Sequence, residues 1–322
     1  MGIPPSDAQD TALFAGRCCS CLLVIHWKTA KGNITMVALN NPAPYITRML
    51  DTSATKQAAR SGGPDEKNDA FQPFYTVDGD LSAGLVLICD HARNTLPEEY
   101  GDLGLPPHQL ERHIGYDIGA EEVTKRLAER LGVPAVLSCF SRLLIDPNRG
   151  IDDPTLVMRL SDGAVVPGNA QIDDAEIEKR KSQYYLPYHR AISEMLDACH
   201  AAGSVPAILS IHSFTPAWKG VARPWHAGVL WDKDGRFAVP LISALQHFQE
   251  LVIGDNEPYT GELDGDTMNV HGTARGLAHA LIEFRQDLIG NEAGIVEWVD
   301  RMAEVMPPLI ADPNLHELRF FK

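Results

Sequence analysis

Leu85-Val86-Leu87-Ile88-Cys89-Asp90-His91-Ala92-Arg93-Asn94 is the stretch that decides the fold of this chain. Its five apolar residues, bounded by Gly84 and Asp90, read as a central strand buried on both faces of an α/β sheet. In open sheets of that kind ligands bind outside the carboxyl ends of the strands, which puts Asp90 and His91 on the rim of a site. Two other stretches end in the same way. Pro206–Ile211 runs into His212 and Ser213, and Ala278–Arg285 carries Glu283 and Arg285. Two histidines and a glutamate at three strand ends make the constellation of a metal hydrolase.

Working outward, Asp117 reads as the N-cap of a helix whose Ile118, Val123, Leu127 and Leu131 share one face and which Gly132 stops. Strands are expected at Ala135–Cys139 and Arg142–Ile145, the second emptying into Asp146-Pro147-Asn148-Arg149-Gly150. Residues 151–172 read as a long loop, and residues 173–202 as helix that Pro187 must kink or divide. A strand at His226–Trp231, a helix near Pro240–Val252 and a loop at 254–261 follow. A last helix from Asn291 is expected to end at Met306, before Pro307-Pro308. Strands alternating with helices predict a three-layer α/β/α domain with a mostly parallel or mixed sheet. Residues 69–322 then form a single catalytic domain. Residues 1–68 show no sustained periodicity and read as a poorly ordered, dispensable extension, with Met36 and Met49 as alternative starts closer to the domain.

The 322 residues carry 28 basic and 43 acidic side chains, a formal charge of −15 that argues against nucleic acid or an anionic membrane surface as partner. No apolar run approaches the ~18–20 residues of a spanning helix, and the start lacks the layout of a signal peptide, so a cytoplasmic protein is expected. Of six cysteines, Cys18, Cys19 and Cys21 cluster but lack the second pair a zinc or redox site needs, while Cys89, Cys139 and Cys199 read as small buried hydrophobes.

A catalytic zinc ion (Zn2+) takes three protein ligands and leaves a place for water. His91 and His212 suit two positions, with Asp117 the better carboxylate for the third and Asp90 the nearer one. Arg142, Asn148 and Arg149 set two guanidiniums and an amide around one exit turn, apt for a substrate carboxylate, although Arg149 could instead bridge to Asp146, Asp152 or Asp153. On the third strand Leu281, Glu283 and Arg285 share a face, and a glutamate in an apolar strand fits a general base. It could also simply pair with Arg285 or Arg275. A Ser213–His212 dyad is disfavoured, because neighbours on a strand point to opposite faces.

The chain resembles the N-formylglutamate amidohydrolase family in Cys-Asp-His-Ala-Arg-Asn at 89–94, His-Ile-Gly-Tyr-Asp at 113–117, Ser-Arg at 141–142 and Asp-Pro-Asn-Arg at 146–149. Ser-Ile-His-Ser at 210–213, Asp-Asn-Glu-Pro-Tyr at 255–259 and Ile-Glu-Phe-Arg-Gln-Asp-Leu at 282–288 complete the set. The resemblance implies a phosphorylase/hydrolase-like fold related to the zinc carboxypeptidases and aspartoacylases. It implies His91 and His212 as zinc ligands, Glu283 as base, Arg142 polarising the scissile carbonyl, and Asn148 and Arg149 holding the substrate carboxylate. Asn256, Tyr259, Arg275 and Arg285 join the substrate-binding candidates. Where carboxypeptidases have a glutamate three residues after the first histidine, this chain has Asn94, and Asp117 is taken as the substitute. The expected activity is removal of an N-acyl group, formyl by preference, from a small acidic N-acyl amino acid such as N-formylglutamate. A deacylase or peptidase for another N-acyl amino acid, or a metal-free carboxylate-binding protein, are the alternatives.

Overall fold

The computed structural model describes residues 71–321 and the backbone of Leu22–Thr29 and Gly32–Leu39. Those two early segments pair antiparallel, Leu22 opposite Leu39, so the first 68 residues hold a β-hairpin that a reading as bare extension does not include. The remainder of that stretch, Cys18, Cys19 and Cys21 among it, lies outside the described residues.

Residues from Asp69 onward form one compact unit. Its seven-stranded sheet comprises β1 (Phe74–Val77), β2 (Leu85–Cys89), β3 (Ala135–Ser138), β4 (Ala207–Phe214), β5 (Ala227–Leu230), β6 (Ile253–Asp255) and β7 (His279–Arg285), ordered β6-β5-β7-β4-β2-β3-β1. The central strands β7, β4, β2 and β3 run parallel, whereas β1 and β5 are antiparallel to their inner neighbours, which makes the sheet mixed as expected.

The unbroken apolar run of β2 is buried on both sides because each face has its own layer. Leu85, Leu87 and Cys89 join the core under α1 (Ala120–Leu131), α4 (Gly235–Leu245) and α6 (Glu292–Ile310). Val86 and Ile88 face the other core, built with Tyr185, Tyr188, Ile192 and Leu196. Those residues belong to a helical stretch made of α2 (Asp174–Arg180), a π-helical turn over Lys181–Tyr185, and α3 (Leu186–Ala201). Pro187 follows directly on the π turn, so the break that its missing N–H requires is taken up as a widened turn rather than as an interruption of the helix.

Four local expectations change. Residues 142–145 are a turn, not a strand: Leu144 N–H donates to Ser141 O at 2.9 Å, and a short apolar run cannot by itself distinguish a buried turn from a strand. The N-cap of α1 is Gly119 rather than Asp117, whose carboxylate is taken by two histidines. Gly119 has φ +83°, and a Cβ there would meet Ile289 O at 2.2 Å, so the entry to α1 requires glycine. Helix α4 begins at Gly235, capped by Asp234, and holds Pro240 inside it. The last helix runs through Pro307 and Pro308 to Ile310, where Leu309 and Ile310 still pack on the core and offset the lost backbone bonds.

Candidate active site

Strand β4 alternates its side chains, sending Leu209 and Ile211 to one core and Ser210 and His212 to the opposite face. On β7 the same alternation puts Ile282 and Phe284 in that first core and aligns Leu281 and Glu283 with a cavity. The parallel register sets Glu283 directly across from His212. His91 follows β2 at its carboxyl end, and Asp117 is brought back to it when its backbone N–H donates to His91 O at 2.9 Å.

The result is a buried cluster at the carboxyl ends of the central strands β2, β4 and β7. His91 Nδ1 and His212 Nδ1 lie 3.2 and 2.8 Å from Asp117 Oδ2. The donor atoms of these three residues lie within 4.8 Å of one another, close enough for one cation to meet all three. Each imidazole is held from behind by a second carboxylate: His91 Nε2 contacts Asp146 Oδ1 at 2.7 Å, and His212 Nε2 contacts Asp90 Oδ2 at 3.0 Å. Asp90 also accepts from Tyr188 Oη, Ser210 Oγ and Thr267 Oγ1 at 3.0, 3.0 and 2.7 Å, so a carboxylate in the core is fully bonded. Asp146 bridges His91 to Arg142, whose Nη2 donates to it at 2.8 Å.

Burial opposes charge on His212, yet hydrogen bonds to Asp117 and Asp90 outweigh it and raise its pKa well above the usual value. Burial likewise works against the carboxylate of Asp117, but the charge and hydrogen bonds of the two histidines hold its pKa below the normal range. Glu283 differs. Desolvation dominates there and lifts it to about 7.

A cavity of about 970 Å³ opens over these groups, lined by His91, Asp117, His212, Glu283, Arg142 and Arg149 among others. Four buried side-chain polar atoms lack a hydrogen-bond partner among the described residues, and three of them, His113 Nε2, Arg149 Nε and Glu283 Oε2, belong to residues that line it. His113 Nε2 lies 3.4 Å from Asp162 Oδ2 and Arg149 Nε 4.0 Å from Asp146 Oδ2 without a hydrogen bond, and buried polar atoms left so are costly, so their convergence in one cavity suits a ligand that completes the bonding.

The other candidates separate. Asn148 lines the cavity, and its Oδ1 accepts from Thr267 N at 3.1 Å, leaving only Nδ2 to donate to a ligand. Tyr259 lines the cavity beneath the Arg223 guanidinium, 5.0 Å from its ring centre. Asn256, Arg275 and Arg285, expected among the substrate contacts, are not among the residues that line this cavity. Asn256 Oδ1 accepts from the backbone of Trp231 and Gly261, Arg275 pairs with Asp197, and Arg285 pairs with Asp287. Arg285 leans away because its guanidinium also reaches the backbone oxygens of Arg223 and Trp225, past the end of the sheet face it shares with Glu283. Asn94 donates to Leu110 O instead of joining the histidines.

Sequence reasoning misses the supporting carboxylate Asp146, which it reads only as a partner for Arg149. That residue ends the apolar run Leu143-Leu144-Ile145 just as Asp90 ends β2, and the parallel is the available signal. His113 is missed as well, since its spacing to Asp117 gives no hint that it enters the cavity.

A family model for N-formylglutamate amidohydrolase matches residues 83–290, which spans every residue of this cluster. The chain belongs to the N-formylglutamate amidohydrolase family. It is accordingly an amidohydrolase, acting on amide C–N bonds, with a small N-acyl amino acid as the class of substrate the family implies. Among solved structures, a gene product of Agrobacterium tumefaciens is 33% identical, with 75% of this chain and 96% of that one aligned at a TM-score of 0.70. An N-formylglutamate amidohydrolase from Ralstonia eutropha shares the fold at 22% identity and a TM-score of 0.53, over 74% of this chain and 97% of that one. No curated protein matches the chain. No helix among the described residues is long and apolar enough to cross a membrane.

Proposed function

We propose that this family member is a zinc-dependent amidohydrolase that removes an N-acyl group, formyl by preference, from an amino acid whose carboxylate Arg149 binds. The observation that carries the reading is the convergence on one cavity of the His91, Asp117 and His212 donors with Glu283 Oε2 and Arg149 Nε, neither of which has a hydrogen-bond partner among the described residues, Arg149 Nε lying 4.0 Å from Asp146 Oδ2. N-formylglutamate is the first substrate to test, on the strength of the family.

The donor set fits a zinc ion. Both Nε2 atoms face carboxylates that can hold a ring proton there, and both Nδ1 atoms turn toward Asp117, so each Nδ1 would ligate once a cation displaces its proton, the usual arrangement behind metal-bound histidines. Zn2+ held by His91, Asp117 and His212 would supply Lewis acidity and bring the pKa of a water close to neutrality. Glu283, whose pKa burial raises, is matched to take a proton from the attacking water and to return it to the departing amine. Arg142 supplies a fixed positive charge for the oxygen of the scissile carbonyl as it becomes an oxyanion, and Asp146 holds that guanidinium in place. Arg149 and the Nδ2 of Asn148 bind a carboxylate that does not react, which fixes the substrate's orientation.

Metal analysis of the purified protein, followed by turnover on N-formylglutamate and other N-acyl amino acids, tests the reading. Stoichiometric zinc with amide hydrolysis is expected; a protein that binds carboxylates without metal or turnover would return it to a binding role. Arg149→Ala is expected to raise KM on the order of 10–100-fold for a substrate with a free carboxylate and far less for its amide-capped counterpart, the worth of one charge-assisted bond. Equal losses on both would make Arg149 structural. Asp90→Asn replaces an acceptor behind His212 by a group that can donate, which disturbs the ring's proton placement. It is expected to weaken zinc binding about 10–100-fold in competition with a chelator, and unchanged affinity would remove Asp90 from that role.

A further inference from the structure

Asn148 and Arg149, assigned above to the substrate carboxylate, sit on an irregular turn, so no helix or strand ladder fixes their direction. The backbone oxygens on either side of Asn148 are nevertheless both bonded, and by one helical stretch. Tyr185 Oη donates to Arg149 O at 2.9 Å, and His189 Nε2 lies 2.9 Å from Pro147 O. Tyr185 ends the π turn and His189 lies four residues on in α3, which puts the two rings on one helix face with their centres 4.2 Å apart. Between them Tyr188 Oη donates to Asp90, so three neighbouring side chains of this stretch support groups of the site.

The protons of this arrangement follow from its partners. A carbonyl oxygen only accepts, so His189 Nε2 carries a hydrogen and donates it to Pro147 O. Thr267 Oγ1 also comes within 3.3 Å of Pro147 O, but its one proton goes to Asp90 Oδ1 at 2.7 Å, which leaves His189 as the donor. Burial lowers the pKa of His189 and keeps the ring neutral, so its Nδ1 is bare and accepts from His271 Nε2 at 2.8 Å. His271 ends α5 (Thr267–His271), whose first residue donates its N–H to Asn148 Oδ1 at 3.1 Å. Burial and the neighbouring imidazole push the pKa of His271 down to about 3, so it too is neutral. Tyr185, His189 and His271 are buried, and none of them lines the cavity. Polar groups placed there carry a desolvation cost that an apolar helix face would avoid, which points to a use for their bonds.

We infer that Tyr185 and His189 are positioning residues for substrate binding: they hold Arg149 O and Pro147 O from one helix face and so aim the side chains of Asn148 and Arg149 at the substrate's carboxylate. His271 fixes the tautomer of His189 that this requires. The inference rests on the carboxylate-binding role given to Arg149 above and adds the device that orients it. A guanidinium held in advance binds without the ordering cost that a free loop would bring.

The test measures KM and kcat of the zinc-loaded full chain on N-formylglutamate, and binding of free glutamate by titration calorimetry. Tyr185→Phe deletes one oxygen and keeps the ring. It should raise KM about fivefold or more with kcat within about twofold of wild type, the worth of one hydrogen bond spent on binding. His189→Leu should act in the same direction, and His189→Gln, which can keep an N–H donor toward Pro147 O, should recover most of the loss. In an Arg149→Ala background Tyr185→Phe should change KM little further, because a residue that acts through Arg149 has nothing left to aim. An unchanged KM in folded Tyr185→Phe and His189→Leu, a fall in kcat as large as the rise in KM, or the same effect with and without Arg149 overturns the inference. If the wild type binds glutamate but does not turn over N-formylglutamate, the amidohydrolase reading fails, and the affinities of the same variants for glutamate, expected to fall in the same order, decide the inference. Absence of glutamate binding to any form overturns both.

Discussion

Glu283→Gln is expected to lower kcat by about 10²–10⁴-fold, the usual worth of a positioned general base, while the protein folds, binds substrate and keeps the metal content of the wild type. The substitution keeps the shape of the side chain and removes only its ability to take a proton. Glu283 is 8% exposed between apolar Ile282 and Phe284, and its Oε2 has no hydrogen-bond partner among the described residues, so no bond is lost in the exchange. In the metal-free protein the same change should raise the melting temperature, and more at pH 8 than at pH 5. Burial raises the folded pKa to about 7 from the ordinary carboxylate range, so the native state keeps a proton that the unfolded chain has lost. Wild-type stability therefore falls as pH rises through that window, whereas glutamine does not titrate. Single-turnover kinetics, metal content and melting curves at the two pH values check these points. Loss of zinc in Glu283→Gln would make the residue a ligand, and near-normal turnover would remove it from the chemistry.

His212→Ala is expected to abolish stoichiometric zinc, as is His91→Ala, because each takes away one of three donors that lie within 4.8 Å of one another. The stability cost should differ from an ordinary cavity. Truncating His212 leaves Asp90 Oδ2 with Ser210 alone and strips Asp117 of its 2.8 Å partner, so two buried carboxylates lose compensation. Breaking such a pair costs on the order of 3–5 kcal/mol, which thermal unfolding would register alongside the metal assay. Asp117→Ala should behave the same way toward metal. Full zinc content in Asp117→Ala, with loss in an Asn94 or Asp90 variant, would reassign the third ligand.

The residues behind these expectations differ in how legible they are in the sequence. Leu85–Cys89 and Ala207–Ile211 announce their strands because continuous apolar runs ending in a polar residue have few other uses, and His91 and His212 come with them. Glu283 is legible for the same reason, as a charge inside an apolar strand. Arg275 and Arg285 are not, since a sequence gives their charge but not their direction: Asp197 and Asp287 draw both away from the cavity. The turn at 142–145 hides behind a strand-like run of Leu-Leu-Ile, and with it the carboxylate that steadies both His91 and Arg142.

By itself the sequence determined the layered α/β fold, the two histidines and the glutamate, because alternation and abrupt polar ends are local properties of the chain. Only the tertiary structure decided which of many acids serve the histidines. Asp117 lies between their Nδ1 atoms while Asp90 and Asp146 stand behind their Nε2 atoms, an arrangement assembled from residues up to 122 positions apart. It also decided how Leu230, Leu281 and Met268 come together in the wall of the cavity, since that depends on sheet register and helix packing. No local pattern encodes those distances.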